Sequence, residues 1–306
     1  MTRTSIARAV TALFAALLLS SCIFGPDTTQ STPTPAPTST ASAGPTRPRL
    51  ELSTYQYALQ TKNRIRVGVR DNATPYSSRS GSSYAGFEPD VAREIARAIW
   101  GPNEDPNTHI EWVSVDDSTR VSVLTSSQAD IVVAGLVIND ANKKVVDFSD
   151  GYYKDGQRLL VKKTNDQIKE VVDVTSGDET VTVVKGSVWE QNIRRVTNDR
   201  AKVLPLETLD FCVQALASGA ADALTGDEAV LVGLAIKDPS VKIVGKQFTD
   251  DQLGVGIKQN VSADRQGFRE FVNIALLRIV ADRTWAKLYE THITPATGEK
   301  KQLPTD

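Results

Sequence analysis

Histidine and cysteine are nearly missing from this chain, with two of each in 306 residues. His109 and His292 stand far apart, as do Cys22 and Cys212, so no metal-ligand spacing exists and a structural zinc site is excluded. No Ser/His/Asp set or Cys/His pair emerges, which argues against enzyme chemistry, and no cofactor is expected. A formal net charge of −2 lacks the basic excess that nucleic acid demands. The N-terminal apolar run, Ala9 to Leu19, is too short to span a bilayer's hydrocarbon.

What is present points outward from the cell. Arg3 and Arg8 precede that short run, and Leu19-Ser20-Ser21-Cys22 follows it. Residues 1–21 therefore read as a signal peptide. Small residues before a cysteine resemble the bacterial lipobox, which implies cleavage before Cys22 and a diacylglyceryl thioether on its sulfur. The protein is then lipid-anchored on the extracytoplasmic face of the cell membrane. A cysteine so used cannot pair with Cys212, so no intramolecular disulfide is expected. From Pro26 to Pro48 the chain is mostly Pro, Thr, Ser and Ala and cannot bury enough apolar surface to offset its ordering entropy. Residues 22–49 are expected to be the lipidated Cys and a disordered tether, reaching on the order of 70 Å if fully extended.

Globular patterning starts near Leu59, and 40% hydrophobic with 24% charged residues suits one or two ordinary cores. Ile65 to Val69 alternates as a strand. Pro89 in a first turn and Phe87, Val91, Ile95 and Ile99 at four-residue spacing predict a helix whose role is core packing. Ile110 to Val113 and Ile131 to Ala134 read as strands, with an Asp116- or Asp117-capped helix between them. Strand-helix alternation continues from Arg158 through Val244 and predicts a mostly parallel sheet. Helices over Arg265–Val280 and Thr284–Thr291 follow. Trp100 and Trp189 read as packing residues. Cys212, on an apolar helix face with Leu209 and Leu216, reads as core.

The stretch from Ala134 to Gly156 carries the functional signal. A β-rich run ends in Gly135, and a turn and short helix from Ala141 follow. A strand running into a glycine and then a helix N-terminus presents backbone N–H groups where open α/β folds bind polar or anionic ligands. "A-G-x-x-I-x-D-x-x-K-K-x-x-D-F-S-D-G-Y-Y-K-x-G" resembles the signature of the family-3 solute-binding proteins, the polar amino-acid receptors of ABC importers. "G-F-E-P-D-V-A-R-E-I-A" is similar to another motif of that family. The resemblance runs from about Arg64 to Ile293. It implies an α/β, two-lobed periplasmic-binding-protein fold with two crossover strands as hinge. Residues 50–158 and 257–306 would form the first lobe and residues 159–256 the second.

The resemblance also implies roles. Arg70 and Arg120 match positions that grip a side-chain carboxylate in the glutamate/aspartate-binding branch, where a planar bidentate donor is needed; two solvated arginines are the alternative. Tyr76 matches an aromatic that lies against the ligand's aliphatic part, and a core tyrosine is the alternative. Asp227 matches the acid that pairs with the α-ammonium, with a helix N-cap as the other reading. Ser187 opens a helix and either donates to a carboxylate or only caps. Gly135 would offer its backbone. Asn142 stands where the family has the arginine that clasps the α-carboxylate, and Val137 where a Thr is usual. An amide can hydrogen-bond a carboxylate but brings no charge. Removing one partner of a buried charge pair costs roughly 2–5 kcal/mol.

The leading expectation is a monomeric lipid-anchored receptor that closes on a small polar amino acid or related carboxylate, acidic by preference, and delivers it to an ABC permease. A sensor with altered or lost amino-acid binding, signalling to a membrane partner, is the alternative. An enzyme is the third, because the fold resembles that of a periplasmic dehydratase of cyclic diene acids.

Overall fold

The computed structural model describes residues 48–259 and 263–301; the expected signal peptide, Cys22 and the tether up to residue 47 lie outside them. Helix α1 (Tyr55–Lys62) leads into β1 (Ile65–Arg70), whose Ile65, Val67 and Val69 are fully buried. A small antiparallel ribbon follows: β2 (Asn72–Ala73), β3 (Ser77–Ser80) and β4 (Ser83–Ala85). Then comes α2 (Phe87–Trp100). Phe87, Val91, Ile95 and Ile99 are all buried on it, each contributing about 1.5–3 kcal/mol. The first lobe continues with β5 (Ile110–Val115), α3 (Ser122–Thr125), β6 (Ile131–Val132), α4 (Asp140–Lys143) and β7 (Val146–Asp155).

The chain then crosses into β8 (Gln157–Lys162) of a second lobe. There β9 (Thr180–Val184), α5 (Val188–Thr197), β10 (Lys202–Leu206), α6 (Leu209–Ser218), β11 (Ala223–Asp227), α7 (Glu228–Lys237) and β12 (Val241–Val244) follow. It returns through β13 (Asp251–Lys258) to α8 (Ala263–Ala281), α9 (Thr284–His292) and α10 (Thr294–Thr297). Sheet membership puts the crossings at Gly156 and between Val244 and Asp251, where the sequence suggested 158 and 257.

The two sheets repeat one plan. Strand order is β5-β1-β6-β13-β7 in the first and β10-β9-β11-β8-β12 in the second. In each, three strands run parallel and the fourth is antiparallel to both its neighbours. The expected mostly parallel sheet is thus corrected to a mixed one. The cause is topological: each lobe receives one crossover strand arriving from the other lobe, and that strand runs against the rest. Strand β7 was also missed by the sequence reading. Its alternation breaks at a bulge against β13, which buries Tyr152 and Tyr153 together.

The first lobe's core gathers Phe87, Tyr152, Tyr153, Trp285 and Tyr289, and the Trp285 indole donates to the Tyr152 carbonyl at 2.7 Å. Cys212 is a buried free thiol packed with Leu160, Leu216 and Leu231, as its helix position predicted. Among the described residues no helix is long and apolar enough to cross a membrane.

The crossings are knitted to each other. Phe248 N–H donates to the Gln157 carbonyl at 3.0 Å, and Gln157 N–H to Thr249 Oγ1 at 2.8 Å. A Cβ on Gly156 would lie 2.3 Å from the Thr249 carbonyl oxygen, so only glycine lets the two backbones approach this closely. Gly156→Ala should therefore cost about 1–3 kcal/mol through overpacking. A thermal melt checks this: a fall of several degrees is expected, and an unchanged midpoint would mean the crossing is loosely packed.

Candidate functional site

Strands of the first sheet end at one rim, and β1 delivers Arg70 there. The guanidinium lies flat against Gly135: a Cβ at that glycine, whose φ is +62°, would fall 3.0–3.2 Å from three of its atoms. Its Nη2 donates to both carboxylate oxygens of Glu88, at 3.1 and 3.2 Å. Glu88 is fully buried in the first turn of α2 and accepts the Tyr152 hydroxyl at 3.0 Å. That hydroxyl in turn accepts the Gly135 N–H at 3.3 Å. Burial works against the Arg70 charge, but Glu88 and Tyr152 more than offset it and hold the guanidinium above its ordinary pKa.

Arg120 arrives from the turn after β5. Asp116 builds that turn by accepting the hydroxyls of Ser118 and Thr119 and then their N–H groups, which holds its own carboxyl down to about 2. Arg120 Nη1 donates to the carbonyls of Ala134 and Gly135 at 3.1 and 2.7 Å and pairs with Asp117 at 3.1 Å. Two guanidinium groups therefore converge on Gly135, one against its Cα and one on its carbonyl.

A cavity of about 400 Å³ opens here, lined by Arg70, Tyr76 and Asp117 from the first lobe and by Leu209, Ala229 and Lys237 from the second. Tyr76 is buried, meets the Tyr153 ring edge-on at 5.4 Å between centroids, and shares a hydroxyl hydrogen bond with it at 2.8 Å.

Across the hinge, Asp227 stands at the head of α7, yet its side chain makes no capping bond. Burial lifts its carboxyl to about 6, opposed by a hydrogen bond from Trp189 and reinforced by the Asp251 and Asp117 charges. Ser187, two residues before Trp189, accepts the Glu190 N–H at 3.2 Å and donates to the Val184 carbonyl at 2.6 Å, which is the capping role. Asp155, at the end of β7, is buried beneath the same helix and accepts the Gly156 and Ala229 N–H groups at 2.8 and 3.4 Å. Burial first and the Asp227 charge second push its carboxyl up to about 8.

The structure thus groups Arg70, Arg120, Gly135 and Tyr76 on one lobe, and Ser187 and Asp227 on the other. Val137 and Asn142 are engaged with each other. The Asn142 amide donates to the Val137 carbonyl at 2.9 Å, and Val137 bridges to Leu253. Helix α4 is only four residues long, and Asn139 caps it by accepting the Asn142 N–H at 2.8 Å.

Three residues escaped the sequence reading. Glu88 sits in a helix assigned to packing alone, but its carboxylate grips Arg70; only its place behind Phe87 in the first turn hinted at burial. Trp189, taken as packing, faces Asp227. Asp155 has no distinguishing pattern, because its burial arises where two lobes meet. With guanidinium groups on one rim and an uncompensated carboxyl on the other, the arrangement suits a zwitterion.

Residues 65–295 match the family model of bacterial extracellular solute-binding proteins, family 3. The chain is 34% identical over 244 residues to the ABC transporter glutamine-binding protein GlnH of Bacillus subtilis, covering 79% of this chain and 85% of that one. It is 29% identical to the glutamate-binding protein GluB of Corynebacterium glutamicum, over 73% of this chain and 76% of that one. Among solved structures, an ancestral cationic amino acid solute-binding protein superposes with a TM-score of 0.64 at 29% identity, covering 78% of this chain and 99% of that one.

Two outcomes follow from the buried charges. Glu88→Ala leaves the Arg70 guanidinium unpaired among buried groups and should cost about 3–5 kcal/mol in chemical denaturation; a loss below 1 kcal/mol would mean Arg70 swings out to water. The Asp155 carboxyl is raised on folding, so the folded state holds a proton that the unfolded chain releases near its ordinary pKa of 3.8. Stability then falls as pH climbs toward 8, where that proton is lost. Melting midpoints from pH 5 to 8 should decline less steeply for Asp155→Asn than for the natural chain; parallel slopes would contradict the assignment.

Proposed function

The chain belongs to the bacterial extracellular solute-binding proteins of family 3, and from that premise we propose that it is the extracytoplasmic receptor of an ABC importer, closing on one small polar amino acid, acidic by preference, and presenting it to the membrane permease. The observation that carries this reading is Asp227, a half-buried carboxyl lifted to about 6 that makes no cap, on the lobe opposite two converging guanidinium groups. Such a carboxyl is stabilised by an incoming ammonium, and a carboxylate is stabilised by Arg70 and Arg120. The two ends of an amino acid draw together lobes that are joined by two strand crossings. Tyr76 supplies the ring beside the aliphatic part, and Gly135 the backbone at the carboxylate end. Relatives named for glutamine and glutamate support a ligand of that size. Cys22 carries the lipid in this reading, and the tether lifts a monomeric receptor off the membrane.

Asn142 and Val137 favour a second reading, a sensor in which the binding step signals to a membrane partner. Their mutual hydrogen bond occupies the positions that the family devotes to the α-carboxylate.

A thermal-shift screen of the full chain against the common amino acids decides between them. A ligand at 100 times its Kd adds about 2.7 kcal/mol. Stabilisation by glutamate or aspartate, lost in both Asp227→Asn and Arg120→Ala, is the expected result. Stabilisation by glutamine alone would remove the acidic preference. No shift with any amino acid would remove the receptor reading.

A further inference from the structure

A second cavity, of about 540 Å³, lies at the strand crossing and shares no lining residue with the amino-acid cavity. It is built on charge. Lys154, Arg158, Lys246 and Lys301 line it against three carboxylates, Glu228, Asp250 and Glu299. Arg158 is 5% exposed; its Nη1 donates to Glu228 at 3.0 Å and its Nη2 to Glu299 at 2.8 Å. The Arg158 Nε is buried and meets no acceptor among the described residues.

The two carboxylates on this arginine differ in kind. Glu228 is fully buried and held from several sides, whereas the Glu299 side chain is 42% exposed and comes from the segment after α10. The Thr294 and Thr297 hydroxyls hold the Glu299 backbone, while its carboxylate is bonded to Arg158 and reaches solvent, so the side chain can exchange without the segment moving. Lys246 makes no ion pair among the described residues, and Lys154 pairs only with the exposed Asp250, at 2.8 Å. Once the Glu299 side chain turns out to solvent, four cations face two carboxylates, and Arg158 Nη2 is open.

We propose that this cavity is a second ligand site, taking a small oxyanion of carboxylate or phosphate chemistry, with Glu299 as its built-in competitor. The anion replaces Glu299 on Arg158 Nη2 and gains Lys246 as a further donor. Bidentate guanidinium and nearby ammonium groups are the donors that such oxyanions select. The site is also joined to the amino-acid cavity. Glu228 accepts the Tyr153 hydroxyl at 3.1 Å, and Tyr153 is bonded to Tyr76, which lines the other cavity.

The test is calorimetric titration of the full chain with inorganic phosphate and, separately, with succinate, in the absence of any amino acid. It therefore stands apart from the receptor reading. Saturable binding of at least one probe is expected, and the arm that binds identifies the chemistry. Glu299→Gln should tighten it roughly three- to tenfold, because the fraction of cavity free of the competitor rises. Lys246→Ala should weaken it by a similar factor. Both side chains are exposed enough for the variants to fold. No binding, identical titrations of the natural chain and Glu299→Gln, or loss of the signal in Arg120→Ala, which would put the anion in the amino-acid cavity, would each overturn the proposal.

Discussion

Glu228 is the group around which the two lobes are assembled. Its carboxylate is fully buried and accepts from Tyr153 at 3.1 Å, Arg158 at 3.0 Å, Gln247 at 3.1 Å and Lys301 at 2.6 Å. Those donors come from β7 of the first lobe, β8 of the second, the returning connection before β13 and the segment after α10. Its own N–H donates to the Gly156 carbonyl at 2.9 Å. A buried carboxylate so placed adds little net stability relative to an apolar residue, but removing one partner costs about 3–5 kcal/mol. Its effect is therefore on geometry: the crossing can flex only in ways that keep this carboxylate paired.

The amino-acid cavity depends on that constraint. Its lining draws on both lobes, Arg70 and Asp117 from the first and Lys237 from the second, so neither lobe alone encloses it. The Tyr76–Tyr153–Glu228 chain passes from the cavity wall to the strand crossing. The rim is also largely neutralised from within, Arg70 by Glu88 and Arg120 by Asp117. Neither arginine is thus a free cation, and the Gly135 carbonyl is itself taken up by Arg120.

Much of the fold was legible because burial follows local periodicity. Phe87, Val91, Ile95 and Ile99 are buried as their spacing predicts, and Ile65, Val67 and Val69 alternate inward. Strand β7 was not legible. Its bulge at Tyr152 sets two neighbouring tyrosines into the core, and no local rule anticipates a bulge made by a partner 100 residues away. The parallel-sheet expectation failed for a related reason: strand direction depends on which lobe a strand enters, and alternation of strands and helices does not record that.

The sequence by itself determined the two-lobed α/β architecture and the family, because both rest on residue order along short stretches. Only the tertiary structure decided which charges are free. It paired Arg70 with Glu88, left Asp227 uncompensated, tied Asn142 to Val137, and buried Asp155 between the lobes. Pairing and desolvation depend on atoms that are far apart in the chain and adjacent in space, and they set whether a given carboxylate or guanidinium acts on a ligand or on its own protein.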